Sequence, residues 1–528
     1  MRLKRSIVSI ALITLASLAQ GCLLGPNFKS PPVSLADKWI EDGNNSVDPR
    51  AADHRDWWTL FNDPVLNDLI QLAYQRNLTL QSAGVRVLEA RARLGIAIGE
   101  FYPQQQQVGA SLTHNQIPVS LPQNIVTNTY WSGQFGAQAS WELDFWGKLR
   151  RAIESADRAF LASVANYDDV LVTLVGDVAS AYVKIRTTEQ QIAIARDNIA
   201  RQRIALRLAT AKFQFGTVAR RDVYQAENVL GATEATIPQL NIQLAQIKDA
   251  LSVLLGMPPG TLDKFLSGSD AIPTSPEEVI VGIPADLLRR RPDVRRAELQ
   301  AAAQSAQIGV AKADLFPAFA LVGNVGTLAT DVGSNSLGHL FSRGSFLYSA
   351  GPGVQWNILN YGQITNNVRV EDAKFQQLLI DYQNAVLKAQ QEVEDGIAAF
   401  IYSREQANFL RQSVSAAEGA LRIALLQYRE GTADFTTVLT AEQNLYQAQN
   451  SLVLATGSIA LGLITTYRAL GGGWQIREGK DFVPSETQQE MRERTNWGTL
   501  LSPDLLKPQA PGLPSLQDQR SPVGLPEW

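Results

Sequence analysis

The clearest pattern in the chain is a strict alternation of apolar and polar residues from Trp131 to Phe145. Every odd position in this stretch is apolar or glycine, and every even position is polar or glycine. Period-two alternation predicts a β-strand with two different faces, and the length suits a tilted strand that crosses a membrane. A soluble sandwich with one solvated face would show the same pattern, and it remains the alternative at this point.

Comparable alternation recurs from Phe346 to Ile358, and weaker alternation occurs near Val108 and Phe319. We therefore predict four strands, two over about residues 104–145 and two over about residues 318–358. Four strands are too few to close a barrel, and open sheet edges cannot persist in hydrocarbon. If these strands cross a membrane, several copies of the chain must share one barrel, with eight strands in a dimer or twelve in a trimer.

A long helical region follows each pair of strands. There is no proline between Gly147 and Phe215, and apolar or small residues recur there at steps of three and four, as in a heptad repeat. Roughly 65 residues at about 1.5 Å each give a rod about 100 Å long. A matching region runs from Gln363 to Arg429. A Gly-Thr pair ends each rod and a second helix returns; Pro238 should kink the first returning helix.

The two halves of the chain repeat one another. Trp141, Trp146 and Gly147 recur as Trp356, Tyr361 and Gly362 at an offset of 215 residues. The same offset relates Gly216-Thr217 to Gly431-Thr432, and an offset of 214 relates Pro103 to Pro317. We therefore predict a duplicated chain, divided into a first repeat over 61–255, a linker over 256–285 and a second repeat over 286–474.

The beginning of the chain has the features of a secretory signal with a lipidation site. Three basic residues precede an apolar run from Ile7 to Leu18, and the only cysteine follows at Cys22. Residues 17–22 resemble the bacterial lipoprotein box, and Leu23 after the cysteine implies outer-membrane sorting. We therefore predict a signal peptide over 1–21, a lipid on Cys22 and a lipidated segment over 22–60.

Composition narrows the classes of function. A net charge of −4 argues against a nucleic-acid partner. One cysteine and three histidines argue against a disulfide framework and a Cys/His metal site. The chain has no phosphate-binding loop, no GxSxG elbow and no HExxH helix, so we predict neither enzymatic activity nor a cofactor beyond the covalent lipid. No later stretch has eighteen uninterrupted apolar residues, so any membrane crossing must use strands.

Several longer strings carry a family resemblance. They are LLRRRPDVR at 287–295, ALGGGW at 469–474, LLG at 254–256 with PPG at 258–260, and TIP at 236–238. Over about residues 22–475 the chain resembles TolC-type outer-membrane efflux channels, in particular the NodT-like lipoprotein branch that serves resistance–nodulation–division pumps. The resemblance implies a mostly α trimer whose twelve-stranded outer-membrane β-barrel, four strands per chain, continues into a long periplasmic helical barrel. Residues 22–60 and 256–285 should lie near an equatorial belt.

The resemblance also implies a function and partners. The channel would passively conduct small molecules such as drugs and toxic compounds from an inner-membrane pump and a periplasmic adaptor to the outside. Each chain would also contact two further copies of itself in a homotrimer, and the trimer would contact the lipid of the outer membrane. An exit duct for type I protein secretion is the alternative with the same architecture, and a lipid-anchored periplasmic scaffold without a pore is the alternative from another class. Residues 475–528 are rich in proline and are expected to be disordered or draped on the equatorial region.

In this family the helical hairpins taper and close at their periplasmic tips. Carried onto this chain, the gate hypothesis covers Asp222, Arg220, Arg221, Tyr428, Asp434, Thr436, Thr437 and Thr440. The chain departs from the family pattern at two places: Ala433 replaces a frequent basic residue, and Thr440 replaces the usual carboxylate. We hypothesise that an ion pair of Arg220 or Arg221 with Asp434 replaces the usual salt bridge that keeps the gate closed. The alternative is that these charges are solvated at the hairpin tip.

Overall fold

The computed structural model of the chain describes residues 23–48, 50, 54–116, 129–268, 271–282, 290–333 and 335–501. The predicted signal peptide, the predicted lipid site at Cys22 and the part of the tail after residue 501 lie outside these residues. The described helices are α1 (Pro64–Arg76), α2 (Leu78–Gly99), α3 (Lys148–Gln214), α4 (Arg220–Leu254), α5 (Asp263–Leu266), α6 (Pro292–Ala313), α7 (Gln363–Glu430), α8 (Phe435–Ala469) and α9 (Ser485–Arg494). The described strands are β1 (Val47–Asp48), β2 (Gln105–Gln116), β3 (Thr129–Leu143), β4 (Val279–Ile280), β5 (Ala318–Thr330) and β6 (Phe346–Gln355).

The internal duplication is visible in the bounds of the elements. Helix α2 begins and ends 214 residues before α6, and α4 begins and ends 215 residues before α8. The two long helices, α3 and α7, contain 67 and 68 residues. Both Trp141 and Trp356 donate a hydrogen bond from the indole to a backbone carbonyl, that of Phe101 at 3.2 Å and that of Leu315 at 3.0 Å. The predicted repeat is confirmed, and the two repeats share this indole hydrogen bond.

The four long strands form one antiparallel sheet in the order β2-β3-β5-β6. One face, here called the polar face, carries a row of polar residues in register across all four strands: Gln107, Gln138, Asn324 and Ser349. The opposite, apolar face carries the row Val108, Ala137, Val325 and Tyr348. Apolar side chains are therefore exposed on one face of a single chain, with Val108 75% and Tyr348 76% exposed. Such a surface requires an apolar neighbour.

Side-by-side helices form the larger part of the molecule. Helices α4, α3, α8 and α7 are packed in that order, and α6 packs on α3 and α7. The closest approach is between α7 and α8, where glycines remove the side chains that would separate the backbones. A Cβ at Gly396 would lie 2.8 Å from Thr466 N, and one at Gly462 would lie 2.7 Å from Phe400 N. Larger residues at these positions would force the two helices apart.

Among the described residues, two helices are long and apolar enough by composition to cross a membrane, α3 and α8. About half of each apolar window, 50% and 56%, is buried within the same chain. Their apolar residues are therefore explained by packing between helices, since Val178, Tyr182 and Leu463 all belong to the main core.

The equatorial region joins segments that are far apart in sequence. Strand β1 pairs in parallel with β4 through Val47 and Val279. The beginning of α1 is defined by Pro64 at its first turn and by Asp63, whose carboxylate accepts a hydrogen bond from Val65 N at 2.9 Å. Asp63 also accepts a hydrogen bond at 2.8 Å from the Tyr182 hydroxyl on α3, so this cap links the equatorial region to the long helix.

The segment after α8 differs in part from the expectation of a disordered tail. Residues 475–501 include α9 and a 3-10 turn at Gly498–Leu501, and Phe482, Val483, Met491 and Leu501 are buried in the main core. This part therefore packs against the core, and Pro503 and the later prolines lie outside the described residues.

Candidate functional site

The two hairpin tips have the same turn. At the end of α3, Gly216 adopts a φ of +73° and Thr217 N donates a hydrogen bond to Lys212 O at 2.9 Å. At the end of α7, Gly431 adopts a φ of +76° and Thr432 N donates to Gln427 O at 2.9 Å. Glycine tolerates this left-handed conformation, which is why a Gly-Thr pair ends both rods.

A separate apolar cluster holds the two hairpins together near their tips. It includes Ala209 of α3, Ala226 of α4, Tyr428 of α7 and Phe435 of α8. The rings of Tyr428 and Phe435 lie 5.1 Å apart. Tyr428 is 2% exposed, and its hydroxyl has no hydrogen-bond partner among the described residues. A buried hydroxyl without a hydrogen-bond partner costs free energy, so Tyr428 reduces the stability of this cluster.

The structure brings five of the predicted gate residues together near the two hairpin tips. Burial raises the pKa of Tyr428, and the negative charge of nearby Asp222 raises it further. Asp222 is itself buried, and Arg221 Nε lies 3.4 Å from its Oδ1. The side-chain hydrogen bond from Thr437 and then the Thr437 backbone N–H lower the pKa of Asp434, and the charge of Arg221 adds to this. The charge of Arg221 thus acts on a carboxylate of each hairpin.

The remaining gate candidates are Arg220, Thr436 and Thr440, and Asp434 has a second role as a helix cap. Arg220 lies 5.5 Å from the ring of Tyr224 one turn further along α4. Asp434 caps α8, because its carboxylate accepts hydrogen bonds from Thr437 N at 3.1 Å and from Thr437 Oγ1 at 2.9 Å. Thr436 and Thr440 are exposed one turn apart on α8. They share a face of that helix that is free to line a lumen.

Two functional candidates at the tip were missed by the sequence analysis. Lys212 Nζ donates hydrogen bonds to Tyr428 O and, at 3.3 Å, to Arg429 O, and it lies 4.5 Å from the Tyr428 ring centroid. It therefore caps the carboxyl end of α7 from the neighbouring hairpin. Its counterpart at the 215-residue offset is Gln427, so the repeat gave no hint of it.

The second missed candidate is Glu442 on α8. It is 3% exposed, and its Oε2 has no hydrogen-bond partner among the described residues. Burial raises the pKa of Glu442 to about 7, and the charge of Arg201 on α3 offsets only part of this effect. A carboxylate of this kind ionises near neutral pH inside the packed end of the helices.

The polar face of the sheet carries Gln134, Gln138 and Gln355. Gln138 Nε2 donates a hydrogen bond at 2.7 Å to Gln107 Oε1 on the next strand, and Gln134 lies four residues before Gln138 on the same face. On the other side, Ser349 Oγ donates to Asn324 Oδ1 at 3.0 Å. Gln355 pairs with Ala318 and shares the face of Ser349. Each of these polar side chains can hydrogen-bond water on that face.

Comparison with known proteins is decisive. The family model for outer membrane efflux proteins matches residues 69–257 and 283–472, one match for each repeat. The chain belongs to the outer membrane efflux protein family. Nodulation protein T of Rhizobium leguminosarum bv. trifolii is 31% identical over 464 residues, 87% of this chain and 96% of its own length.

One further relative and one solved structure show which kind of family member the chain resembles. The probable efflux pump outer membrane protein TtgC of Pseudomonas putida is 30% identical over 485 residues, 90% of this chain and 97% of its own length. The solved structure of the outer-membrane channel OprN superposes with a TM-score of 0.80 at 30% identity, over 86% of this chain and 100% of that one. The fold is that of the trimeric efflux channels, with a β-barrel joined to a helical barrel, and the family is one of channel proteins.

Proposed function

We propose that this outer-membrane efflux channel is the passive exit duct of a tripartite pump, receiving small molecules from an inner-membrane resistance–nodulation–division transporter through a periplasmic adaptor. The observation that carries the proposal is the sheet, which has a row of polar residues across one face and exposed apolar residues on the other. Closed into a barrel, it gives a hydrated pore inside and a lipid-facing surface outside. The chain itself performs no covalent chemistry.

The open edges of the chain support a homotrimer. Among the described residues, strands β2 and β6 each have one unpaired edge, and both edges must be paired inside a membrane. The outer helices α4 and α7 also expose apolar residues, with Ile242 61% and Phe409 63% exposed. Three copies that pair β6 with the next β2 would cover these edges and complete twelve strands.

Conductance in planar bilayers tests the channel directly. We expect the purified protein to insert as a trimer and to give discrete current steps. A stable, water-soluble monomer that gives no current would contradict the proposal and favour the periplasmic scaffold without a pore.

The cargo is tested separately. Deleting the gene should raise sensitivity to drugs and other toxic small molecules and leave the set of secreted proteins unchanged, because an efflux duct serves small molecules. Loss of a secreted protein without any change in sensitivity would instead favour the type I secretion duct, which none of the comparisons favours.

The described residues next to Cys22 support an anchor at the junction of sheet and helices. Leu24 N donates a hydrogen bond to Trp146 O at 3.2 Å, and the buried Arg151 donates to Leu24 O at 3.0 Å and to Asn27 Oδ1 at 2.8 Å. Gly25 packs so closely on Gly309 that a Cβ there would lie 2.5 Å from its Cα. A lipid on Cys22 would thus start beside the membrane-facing end of the helices.

Replacement of the lipid site gives a simple prediction. We expect Cys22→Ser to abolish acylation, detected as loss of the lipid mass on the amino-terminal peptide, because the chain has no other cysteine. Trimers already inserted should still conduct, since the strands cross the membrane themselves. An unchanged lipid mass in the variant would contradict the assignment.

The gate hypothesis places a closing contact at Asp222 and Tyr428, supported by Arg221, Asp434 and Lys212. We expect Asp222→Ala to raise the conductance of the purified channel, because the contacts between the hairpins lose a buried charge next to Arg221. Asp249→Ala, an exposed carboxylate on the same helix, is the matched control and should leave conductance unchanged. Equal conductance in wild type and Asp222→Ala would reject Asp222 as part of the closing contact.

A further inference from the structure

The connection between β5 and β6 folds back onto the apolar face of the sheet. A Cβ at Gly133 on β3 would lie 3.4 Å from Leu337 Cδ2 and 3.7 Å from Leu340 Cδ2. The Phe341 ring lies 6.0 Å from the Phe135 ring in an edge-on arrangement. Gly133 and Phe135 alternate with the polar-face residue Gln134, so residues 335–345 lie outside the barrel wall and do not cover the lumen.

Hydrogen bonds fix the shape of this connection. Trp131 N donates to Asp331 Oδ1 at 2.6 Å, and Asp331 N donates to Trp131 O at 3.1 Å, which ties the start of the connection to β3. Further along, Ser345 Oγ donates to His339 O at 2.7 Å, and two short 3-10 turns occupy Leu337–His339 and Arg343–Ser345. The contact with the apolar face is therefore part of a defined structure.

The position of the segment relates it to the membrane surface. Strand β2 follows α2, and β3 leads into α3, so the opposite end of the sheet, where β5 ends and β6 begins, is the end far from the long helices. The segment adds apolar surface at that rim, because Phe341 remains 76% exposed. Between residues 332 and 345 the chain has no acidic residue, and its charged or titratable residues are His339 and the exposed Arg343.

We propose that residues 335–345 form an interfacial foot that rests in the outer leaflet of the membrane, with Phe341 among the lipid chains and Arg343 facing anionic headgroup phosphates. The foot is continuous with the lipid-facing apolar face, which is why lipid is the occupant to which the proposal commits. Apolar and aromatic side chains next to a cation favour the boundary between hydrocarbon and headgroups. The proposal rests on the outer-membrane placement of the sheet, and it adds a lipid contact made by a loop.

Fluorescence quenching tests the foot in the intact trimer. A single new cysteine, Phe341→Cys, is labelled with an environment-sensitive dye, and the acylated protein is reconstituted in vesicles of phosphatidylcholine and phosphatidylglycerol. We expect a nitroxide placed near the lipid headgroup to quench the dye about twofold, as for an interfacial residue, while aqueous iodide has little effect.

Two control positions separate the possible outcomes. Val325→Cys, on the apolar face, reports the membrane placement of the sheet, and Ser349→Cys, on the polar face, should be quenched by iodide alone. If the lipid nitroxide quenches the dye at position 325 and only iodide quenches the dye at position 341, the proposed lipid contact of residues 335–345 is wrong. The membrane placement of the sheet then still holds. If position 325 is also insensitive to lipid nitroxide, the outer-membrane placement itself fails.

Discussion

Replacing Asp168 by alanine should be the most destabilising of the substitutions considered, lowering the free energy of unfolding by about 3–5 kcal/mol per protomer. Asp168 on α3 binds Arg477 through both carboxylate oxygens, and Arg477 Nη2 lies 2.8 Å from Asp168 Oδ2. The two side chains are 6% and 3% exposed. Without Asp168 the guanidinium stays buried with no carboxylate to neutralise it.

The effect should extend to the segment after α8. Arg477 also lies 5.0 Å from the Phe482 ring and 5.5 Å from the Trp474 ring, and Phe482 makes an edge contact of 5.0 Å with Tyr167. The ion pair therefore fastens residues 475–501 to the long helix. We expect limited proteolysis to cleave this segment faster in Asp168→Ala than in the wild type, before the rest of the chain is cut.

Two controls decide whether the buried charge is the cause. The double variant Asp168→Ala with Arg477→Met should recover most of the loss, because removing both charges leaves no uncompensated ion. Glu89→Ala removes an exposed ion pair with Arg93, whose side chains are 56% and 74% exposed, and should cost less than about 1 kcal/mol. Denaturant unfolding at a fixed protomer concentration measures all three variants. A double variant as unstable as the single one would assign the loss to packing.

Periodicity predicted the secondary structure because the chain repeats its patterns over long elements. The alternation from Trp131 to Phe145 predicted β3, because every odd position in that stretch is apolar or glycine. The Gly-Thr pairs located the ends of α3 and α7 because the left-handed turn restricts the residue type. The sequence also placed Pro238 within the first returning helix, where a kink is expected, and α4 continues through Pro238 from Arg220 to Leu254.

The tip was only partly predictable. Lys212 and Glu442 lie on helix faces whose neighbours come from another hairpin, so their roles depend on contacts between elements far apart in sequence. Glu442 has the counterpart Glu227 at the repeat offset, yet Glu227 is exposed while Glu442 is buried. Identical residues in the two repeats thus have different environments, and the sequence alone gave no sign of this.

This difference leads to a prediction about pH. The raised pKa of Glu442, about 7 against an ordinary 4.5, means that the packed tip binds a proton that a hydrated carboxyl would release. Protonation therefore stabilises the packed tip fully below pH 4.5, and this stabilisation is lost as the pH rises toward 7. The shift corresponds to about 3 kcal/mol per protomer. We expect channel conductance to rise between pH 5 and pH 7.5 and to change little above that.

The two glutamates of the repeat provide a matched test. Glu442→Gln keeps the shape of the side chain and cannot ionise, so its conductance should be nearly independent of pH over this window and lower than that of the wild type at pH 7.5. Glu227→Gln changes the exposed counterpart and should retain the wild-type profile. Equal pH profiles for all three proteins would show that ionisation of Glu442 does not loosen the tip.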